Sequence, residues 1–452
     1  MAGTIAGLPF WELAFDEDGD PDAGHRDAFL TEVRDRRLTD IVLFAHGWGN
    51  DRAMANRLFT RVFELLAQQV PATARPTLGL AGVSWPARLW PDEPIPDFLA
   101  DGGSDGGAVS LGRAVAGAPA DPTLDAATLS DLHALFPEAT APLDEMARLL
   151  RGAPTPEAQK EFHRLLGEFS RLAGARGERD DGEGDEAGVA LAPGEPRMLL
   201  DDPHELFTRY RTALRASGVP AADDDGVAAS GDGLGGLLNG MKEALRQASY
   251  WQMKIRAGTV GRAGLGPVLG QLPAGVRVHL VGHSFGARLI SFALAGLPSG
   301  PSPVGSVTLL QGAFSHFAFA SPLPFDAARS GALAGMPARI NGPLVACFTE
   351  HDSALGRFYP LASLAAQDDS AEAQNPSSRW GAIGANGAQG VQAPVVGIQP
   401  AGGRYAFVPG GVLNVDASAV VRNGPPPSGA HSDILHPEVT WLALAAGGLV
   451  TP

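Results

Sequence analysis

A serine between two glycines is the first place in this chain where residue types and spacing point to chemistry. Ser284 is the centre of "GHSFG", with Gly282 two residues before it and Gly286 two residues after it. A serine hydroxyl becomes an effective nucleophile only when it is exposed, has a base to take its proton and has donors for the oxyanion that forms. A sharp strand-to-helix turn provides the exposure and demands small residues at both glycine positions. The pattern therefore indicates nucleophilic catalysis at Ser284.

The residues on either side of this serine predict a strand before it and a helix after it. The apolar, β-branched run "VRVHLV" leads into the glycines, and "ARLISFAL" follows them as an apolar helical segment. Because the chain holds 58 glycines, the bare pattern also arises by chance. A purely structural turn is the alternative, and the strand–turn–helix context favours the catalytic interpretation.

Backbone N–H groups are the usual donors to an oxyanion beside such a serine, one from the next residue and one from a loop after an earlier strand. Phe285 occupies the first position. The apolar run "IVLFA" ends in His46-Gly47-Trp48, and the glycine lets this loop bend toward the serine. We therefore expect the Trp48 and Phe285 amides to form an oxyanion hole. We expect His46 to organise the loop rather than to act as a base.

Short apolar runs recur along the chain, with helical patterns between some of them. Short runs rich in apolar and β-branched residues are typical of parallel strands buried on both faces of a sheet. They occupy residues 41–46, 78–85, 276–282, 306–312 and 343–349. Helical patterns mark residues 52–69 and 285–297. Alternating strands and helices predict an α/β fold with a mostly parallel central sheet flanked by helices.

Residues 92–240 differ from the rest of the chain because they are rich in Ala, Gly and Asp and lack a convincing strand pattern. Helical segments are predicted at 125–136, 141–150 and 155–174, with acidic low-complexity stretches at 177–188 and 220–236. We expect a helical, partly flexible insertion. It separates the two parts of a core domain, residues 1–91 and 241–452, and would form a cap over the site together with the loop 313–342.

Composition narrows the classes of partner. A net charge of −16 argues against nucleic acid or an anionic membrane as the main partner. No apolar run approaches about 20 residues, so stable membrane insertion is not expected. The N-terminal residues show no secretory pattern, which favours a cytoplasmic protein. The single cysteine, Cys347, excludes an internal disulfide and a cysteine metal cluster.

No metal and no organic cofactor is expected for the chemistry that this pattern indicates. The acidic stretch 16–27 comes near the spacing of a calcium loop, but Pro21 occupies the position where that loop needs glycine. A solvated turn is the expectation there. The composition does not indicate an oligomeric state.

Taken together, five motifs resemble the α/β-hydrolase superfamily. They are "HGW" after a strand, "VSWP" downstream, "GHSFG", a strand that ends in "TEHDSALG", and "HSDILHPEVTWLAL" near the C-terminus. Within that superfamily the chain is similar to a group of microbial, esterase- or lipase-like serine hydrolases that carry HGW and GHSFG. The resemblance covers residues 38–90 and 241–450 and does not cover the insertion.

The resemblance implies a catalytic triad in the chain order serine, acid, histidine. Asp352 matches the family position in "HDSAL", while Glu350 and Asp326 are the alternative acids. His431, in the Pro/Gly-rich loop before the final helix, is the expected base. His436 is the alternative base, although the proline that follows it is typical of a residue that caps a helix.

Other histidines and aromatic residues have weaker roles in this interpretation. His279 and His283 are expected to pack inside the fold, and His316 and His351 to line the site. Several aromatic side chains near strand ends could line an acyl pocket, namely Trp85, Trp90, Phe314, Phe317 and Phe319.

The expected function is a serine hydrolase that cleaves a carboxylic ester through an acyl-enzyme intermediate. Ser284 attacks the carbonyl, His431 takes and returns the proton, and Asp352 orients His431. A thioesterase, lactonase, amidase or acyltransferase would use the same triad with a different pocket. A catalytically idle hydrolase fold that serves as a binding module is the alternative from another class. The expected partner is a small-molecule ester.

Overall fold

A nine-stranded sheet organises the computed structural model, which describes residues 3–50, 52–87, 122–174, 197–216, 234–358, 381–424 and 429–450. The strands are β1 (Gly3–Ile5), β2 (Leu8–Ala14), β3 (Asp40–Ala45), β4 (Leu78–Ser84), β5 (Arg277–His283), β6 (Val304–Leu310), β7 (Leu344–Phe348), β8 (Val395–Gly397) and β9 (Val412–Asp416). Their order across the sheet is β1-β2-β4-β3-β5-β6-β7-β9-β8.

The sheet is parallel except at one edge. β1 pairs antiparallel with β2, and every other neighbouring pair of strands runs parallel. Strands β3 and β4 are buried at every residue, as expected for central strands covered on both faces. The predicted α/β class and the mostly parallel sheet are therefore confirmed.

Helices cover both faces of the sheet. They are α1 (Ala23–Asp35), α2 (Arg52–Ala67), α3 (Ala126–Leu135), α4 (Thr140–Leu149), α5 (Pro156–Ala173), α6 (Pro203–Ala216), α7 (Leu234–Thr259), α8 (Gly266–Leu269), α9 (Phe285–Gly296), α10 (Ile383–Asn386) and α11 (Pro437–Ala446). Helices α2 and α11 pack on one face, and α1, α7 and α9 pack on the other. The five strands and two helices that the sequence patterns predict for the core all lie within two residues of their predicted positions.

The described part of residues 92–240 is helical and contains no strand. Its helices pack against α7, where Gln252 donates to the carbonyl of Ser170 at 3.2 Å and Arg256 donates to the carbonyl of Leu135 at 2.9 Å. Helix α7 itself runs across the predicted boundary at residue 240. The apolar side chains of the insertion join the hydrophobic core on the α7 and α9 face of the sheet.

The predicted acidic stretch 177–188 lies outside the described residues. So do residues 220–233 of the predicted stretch 220–236. The other acidic stretch, 16–27, forms a turn and a helix start. Asp16 accepts backbone N–H groups from Asp18 and Asp20, and Asp22 caps α1 by accepting from His25 at 2.8 Å. None of the helices in the described ranges is both long and apolar enough to cross a membrane.

Candidate active site

Ser284 forms the turn between β5 and α9 and has an unusual backbone conformation. Its φ is 55° and its ψ is −123°, a sparsely populated region that costs a non-glycine residue about 1–3 kcal/mol. Hydrogen bonds on both sides hold the strained residue in place. Its N–H donates to the carbonyl of Leu310 at 3.0 Å, and its own carbonyl accepts from Ala313 at 3.2 Å. Strain held by the surrounding fold is characteristic of functional turns.

Three glycines allow the chain to pack closely around this turn. A Cβ atom on Gly282 would lie 2.5 Å from the carbonyl oxygen of Gly286, and one on Gly286 would lie 2.6 Å from the carbonyl oxygen of His46. A Cβ atom on Gly47 would lie 2.7 Å from the Cβ of Ser284. The loop after β3 therefore touches the serine directly, and only glycine fits at the contact.

Ser284, His431 and Asp352 form a hydrogen-bonded series. The Ser284 Oγ lies 2.9 Å from His431 Nε2, and His431 Nδ1 lies 2.7 Å from Asp352 Oδ2. All three residues are buried, and their exposed fractions do not exceed 5%. With the Nδ1 proton directed at the carboxylate, Nε2 is left as the acceptor for the serine hydroxyl proton. The arrangement can therefore raise the nucleophilicity of Ser284.

Asp352 follows β7, and both of its carboxylate oxygens have partners. Oδ2 accepts from His431, and Oδ1 accepts the N–H of Leu355 at 2.9 Å. The alternative acids lie elsewhere. Glu350 has a largely exposed side chain, and Asp326 accepts the N–H of Ala328 in a separate turn. The structure thus brings Asp352, and neither alternative, to the histidine.

His431 lies in a short turn that is tied to the Asp352 loop by main-chain contacts. Ala430 donates to the carbonyl of His351 at 2.9 Å, and Asp352 and Gly429 form a β-bridge. His436 does not reach the serine. It is the N-cap residue of α11, and its Nε2 lies 2.8 Å from Asp433 Oδ1.

The two residues predicted to carry the oxyanion donors lie on the two sides of the Ser284 turn. Phe285 is the first residue of α9, where N–H groups have no partner within the helix and the helix dipole favours negative charge. Trp48 lies in the loop that touches Ser284, and its ring is 6.2 Å from the ring of Phe285. Tyr250 of α7 contacts both rings, at 5.5 Å from Trp48 and 4.8 Å from Phe285. The sequence patterns give no indication of this tyrosine.

His46 organises the loop between these parts. Its Nδ1 lies 2.8 Å from the carbonyl of Gly47, its ring stacks on Trp85 at 5.8 Å, and its carbonyl accepts from Trp85 Nε1 at 3.1 Å. Burial lowers the pKa of His46 to about 4. A neutral, hydrogen-bonded histidine suits the predicted structural role.

His283 is buried, as predicted, but it also contacts the candidate base. Its Nε2 lies 2.8 Å from the carbonyl oxygen of His431, and the two rings are 5.0 Å apart. Burial and the neighbouring His431 lower the pKa of His283 to about 3. No sequence pattern identifies this contact, because 148 residues separate the partners.

A second group of serine, histidine and aspartate lies at the opposite end of β5. His279 Nε2 is 3.0 Å from Asp40 Oδ1, and its Nδ1 is 3.0 Å from Ser306 Oγ. Ser306 lies within β6, is 1% exposed, and has none of the backbone strain of Ser284. His279 and Ser284 are five positions apart in sequence, about 16 Å along a strand. This buried group is structural and offers a matched control.

The remaining predicted site residues differ in burial. His316 is buried, with its Nδ1 3.1 Å from Asn386 Nδ2, and His351 is exposed. The predicted pocket aromatics Trp85, Phe314 and Phe319 are buried in the hydrophobic core. Trp90 lies outside the described residues.

No model of a protein family, no curated protein and no solved structure matches the chain. The functional conclusion therefore rests on the geometry of this chain: a strained serine, a histidine and a buried carboxylate in hydrogen-bond contact at the end of a parallel sheet.

Proposed function

We propose that the protein is a serine hydrolase that cleaves carboxylic esters through an acyl-enzyme intermediate. The observation that carries this proposal is the pair of hydrogen bonds that joins Ser284 to His431 at 2.9 Å and His431 to Asp352 at 2.7 Å. The single cysteine supports a serine rather than a thiol nucleophile. Cys347 is buried in β7, and burial raises the pKa of its thiol to about 12.

In the acylation step, His431 Nε2 takes the hydroxyl proton as Ser284 Oγ attacks the ester carbonyl carbon. The Trp48 and Phe285 amides donate to the oxyanion that develops. When the tetrahedral intermediate collapses, the bond to the alcohol oxygen breaks and His431 returns the proton to that oxygen. Water then repeats the sequence on the acyl-serine and releases the acid. Asp352 keeps the imidazole in the required tautomer and stabilises the imidazolium.

The same proposal includes an α/β-hydrolase fold. Two features support it: the nucleophile lies on a strand-to-helix turn of a mostly parallel sheet, and the three side chains follow the chain order serine, aspartate, histidine. A small-molecule ester partner and a cytoplasmic location belong to this proposal as well.

We further propose that the helices of residues 92–240 form a cap that limits substrate size. The support is the position of Tyr250. It lies on α7, against which the insertion packs, and its ring contacts both aromatic residues that carry the proposed oxyanion amides.

Fluorophosphonate labelling combined with a substrate panel tests the proposal. The panel holds p-nitrophenyl esters, thioesters, lactones and amides, and the proteins are wild type, Ser284→Ala and the control Ser306→Ala. Labelling and ester hydrolysis in wild type and Ser306→Ala, with both lost in Ser284→Ala, is the expected result. Turnover confined to another acyl compound would overturn the ester assignment. An unlabelled Ser284 would overturn the hydrolase assignment and favour the binding module.

A further inference from the structure

We propose that His283 is a positioning residue that sets the orientation of His431 toward Ser284. This inference rests on the proposed function, since it assigns His431 as the base. Within "GHSFG", His283 would thus position the base, whereas Gly282 and Gly286 leave room for the close packing of the turn.

Two consecutive residues of the turn contact the same histidine at two different points. Ser284 Oγ approaches the His431 ring at Nε2, and His283 Nε2 donates to the His431 main-chain carbonyl at 2.8 Å. Successive side chains of a strand point to opposite faces, so two neighbours do not ordinarily reach one partner. The positive φ of Ser284 breaks that alternation and lets both side chains reach His431.

The His283 contact joins the His431 turn to the strand that carries the nucleophile. The main-chain contacts of the His431 turn described above, from Ala430 to His351 and from Gly429 to Asp352, lead to the acid loop after β7. The bond from His283 instead leads to β5, the strand that carries the nucleophile. It therefore fixes the base relative to the serine and independently of the acid.

The chemical state of His283 suits this task. Its lowered pKa keeps the ring neutral, so Nε2 retains one proton to donate and Nδ1 carries none. The centres of the His283 and His431 rings are 5.0 Å apart. A neutral His283 therefore places no positive charge beside His431 when His431 becomes an imidazolium during acylation. Small displacements of a catalytic group cost up to about 100-fold in rate.

Three substitutions at residue 283 separate positioning from packing. In His283→Gln the amide nitrogen lies three bonds beyond Cβ, as Nε2 does in histidine, and can still donate. In His283→Asn the donor is one carbon short, and in His283→Leu it is absent. The control is His279→Gln, at an equally buried histidine of the same strand. The readouts are kcat and KM for a p-nitrophenyl ester, the fluorophosphonate labelling rate, and urea unfolding.

We expect kcat and the labelling rate to fall about 10- to 100-fold in His283→Asn and His283→Leu, with KM within about twofold because the substrate contacts are unchanged. His283→Gln should recover to within about threefold of wild type. His279→Gln should lower the unfolding midpoint but leave kcat unchanged.

Equal kcat in the Gln and Asn variants, or losses that disappear after normalisation to the folded fraction, would overturn the positioning role. The Gln and Asn comparison remains decisive if His283→Leu does not fold. Failure of the proposed function has a different signature, because wild type itself would then not be labelled at Ser284.

Discussion

Replacing Asp352 by asparagine is expected to abolish most activity while the fold stays intact. The two oxygens of the carboxylate have different partners. Oδ1 accepts the N–H of Leu355 at 2.9 Å, and Oδ2 faces His431 Nδ1 at 2.7 Å. In the variant, the N–H of Leu355 still needs an acceptor, so the amide oxygen takes the Oδ1 position. The amide NH₂ group then faces Nδ1.

This orientation has a definite consequence for the histidine. Because a donor now faces His431 Nδ1, that nitrogen must become an acceptor, and the ring proton moves to Nε2. Nε2 then donates toward Ser284 Oγ at the 2.9 Å contact and cannot take the hydroxyl proton. In other hydrolases the same exchange lowers kcat on the order of 10⁴-fold. At about 1.4 kcal/mol for each tenfold change, the loss is about 5.5 kcal/mol of transition-state stabilisation.

The assay is kcat/KM for a p-nitrophenyl ester, normalised to folded protein by circular dichroism and urea unfolding. Glu350→Gln is the matched control, since that carboxylate lies two residues away and is largely exposed. We expect wild-type activity in the control and an unfolding free energy within about 2 kcal/mol of wild type in Asp352→Asn. An Asp352→Asn enzyme that keeps a tenth or more of wild-type kcat/KM would refute the tautomer argument.

Three further predictions follow from the site. His431→Ala should lower kcat on the order of 10⁴- to 10⁶-fold. His436→Ala should leave kcat unchanged and alter the free energy of unfolding by less than about 1 kcal/mol. Steady-state kinetics on both variants test this, and a large loss in His436→Ala with little loss in His431→Ala would contradict the assignment of the base. Gly47→Ala should cost about 1–3 kcal/mol of stability and slow fluorophosphonate labelling, because the added Cβ would lie 2.7 Å from the Cβ of Ser284; wild-type values for both would show that the loop does not touch the nucleophile. Burial lowers the pKa of His46 from 6.5 to about 4, so the unfolded chain binds a proton between these values that the folded chain does not. The contribution of His46 to stability should therefore fall by about 3 kcal/mol as the pH drops from 6.5 to 4, in addition to the loss from His283, whose pKa is also lowered. Urea unfolding of His46→Gln should show a weaker acid dependence than wild type, and an unchanged acid dependence would contradict the role of His46.

The local patterns around the site were sufficient to predict its elements. β3 and β5 are rich in apolar, β-branched residues, and α2 and α9 have helical spacing. Strand–loop–helix order therefore places the HGW loop and the GHSFG turn at the same edge of a parallel sheet. The helices of the insertion were predicted for the same reason. A short edge strand such as β8 is not predicted from sequence, because its three exposed residues are too few to form a recognisable strand pattern.

The sequence patterns do not show which residues that are distant in sequence come into contact. Nothing near Glu350 or Asp352 in sequence says which carboxylate turns inward, and the resemblance to a family was needed to choose between them. The choice depends on the turn after β7, which directs one side chain to His431 and leaves the other in solvent. The sequence also does not give the surroundings of the aromatic residues expected at a pocket, and Phe314 and Phe319 pack in the hydrophobic core.

His283 and Tyr250 illustrate how tertiary contacts assign roles that sequence position does not. A histidine inside the turn is equally compatible with packing and with positioning until its partner, the His431 carbonyl, is known. Tyr250 lies in a largely buried helix with many apolar neighbours, and only the fold places it against Trp48 and Phe285.

The measurement that tests the central claim most directly is a rapid acid quench of the enzyme during turnover of p-nitrophenyl acetate, followed by intact-mass analysis and peptide mapping. The account predicts one acetyl group per chain, located on Ser284 and absent from Ser284→Ala, with His431→Ala forming it more slowly. Release of p-nitrophenol without an adduct on Ser284, or with the acetyl group on another residue, would contradict it.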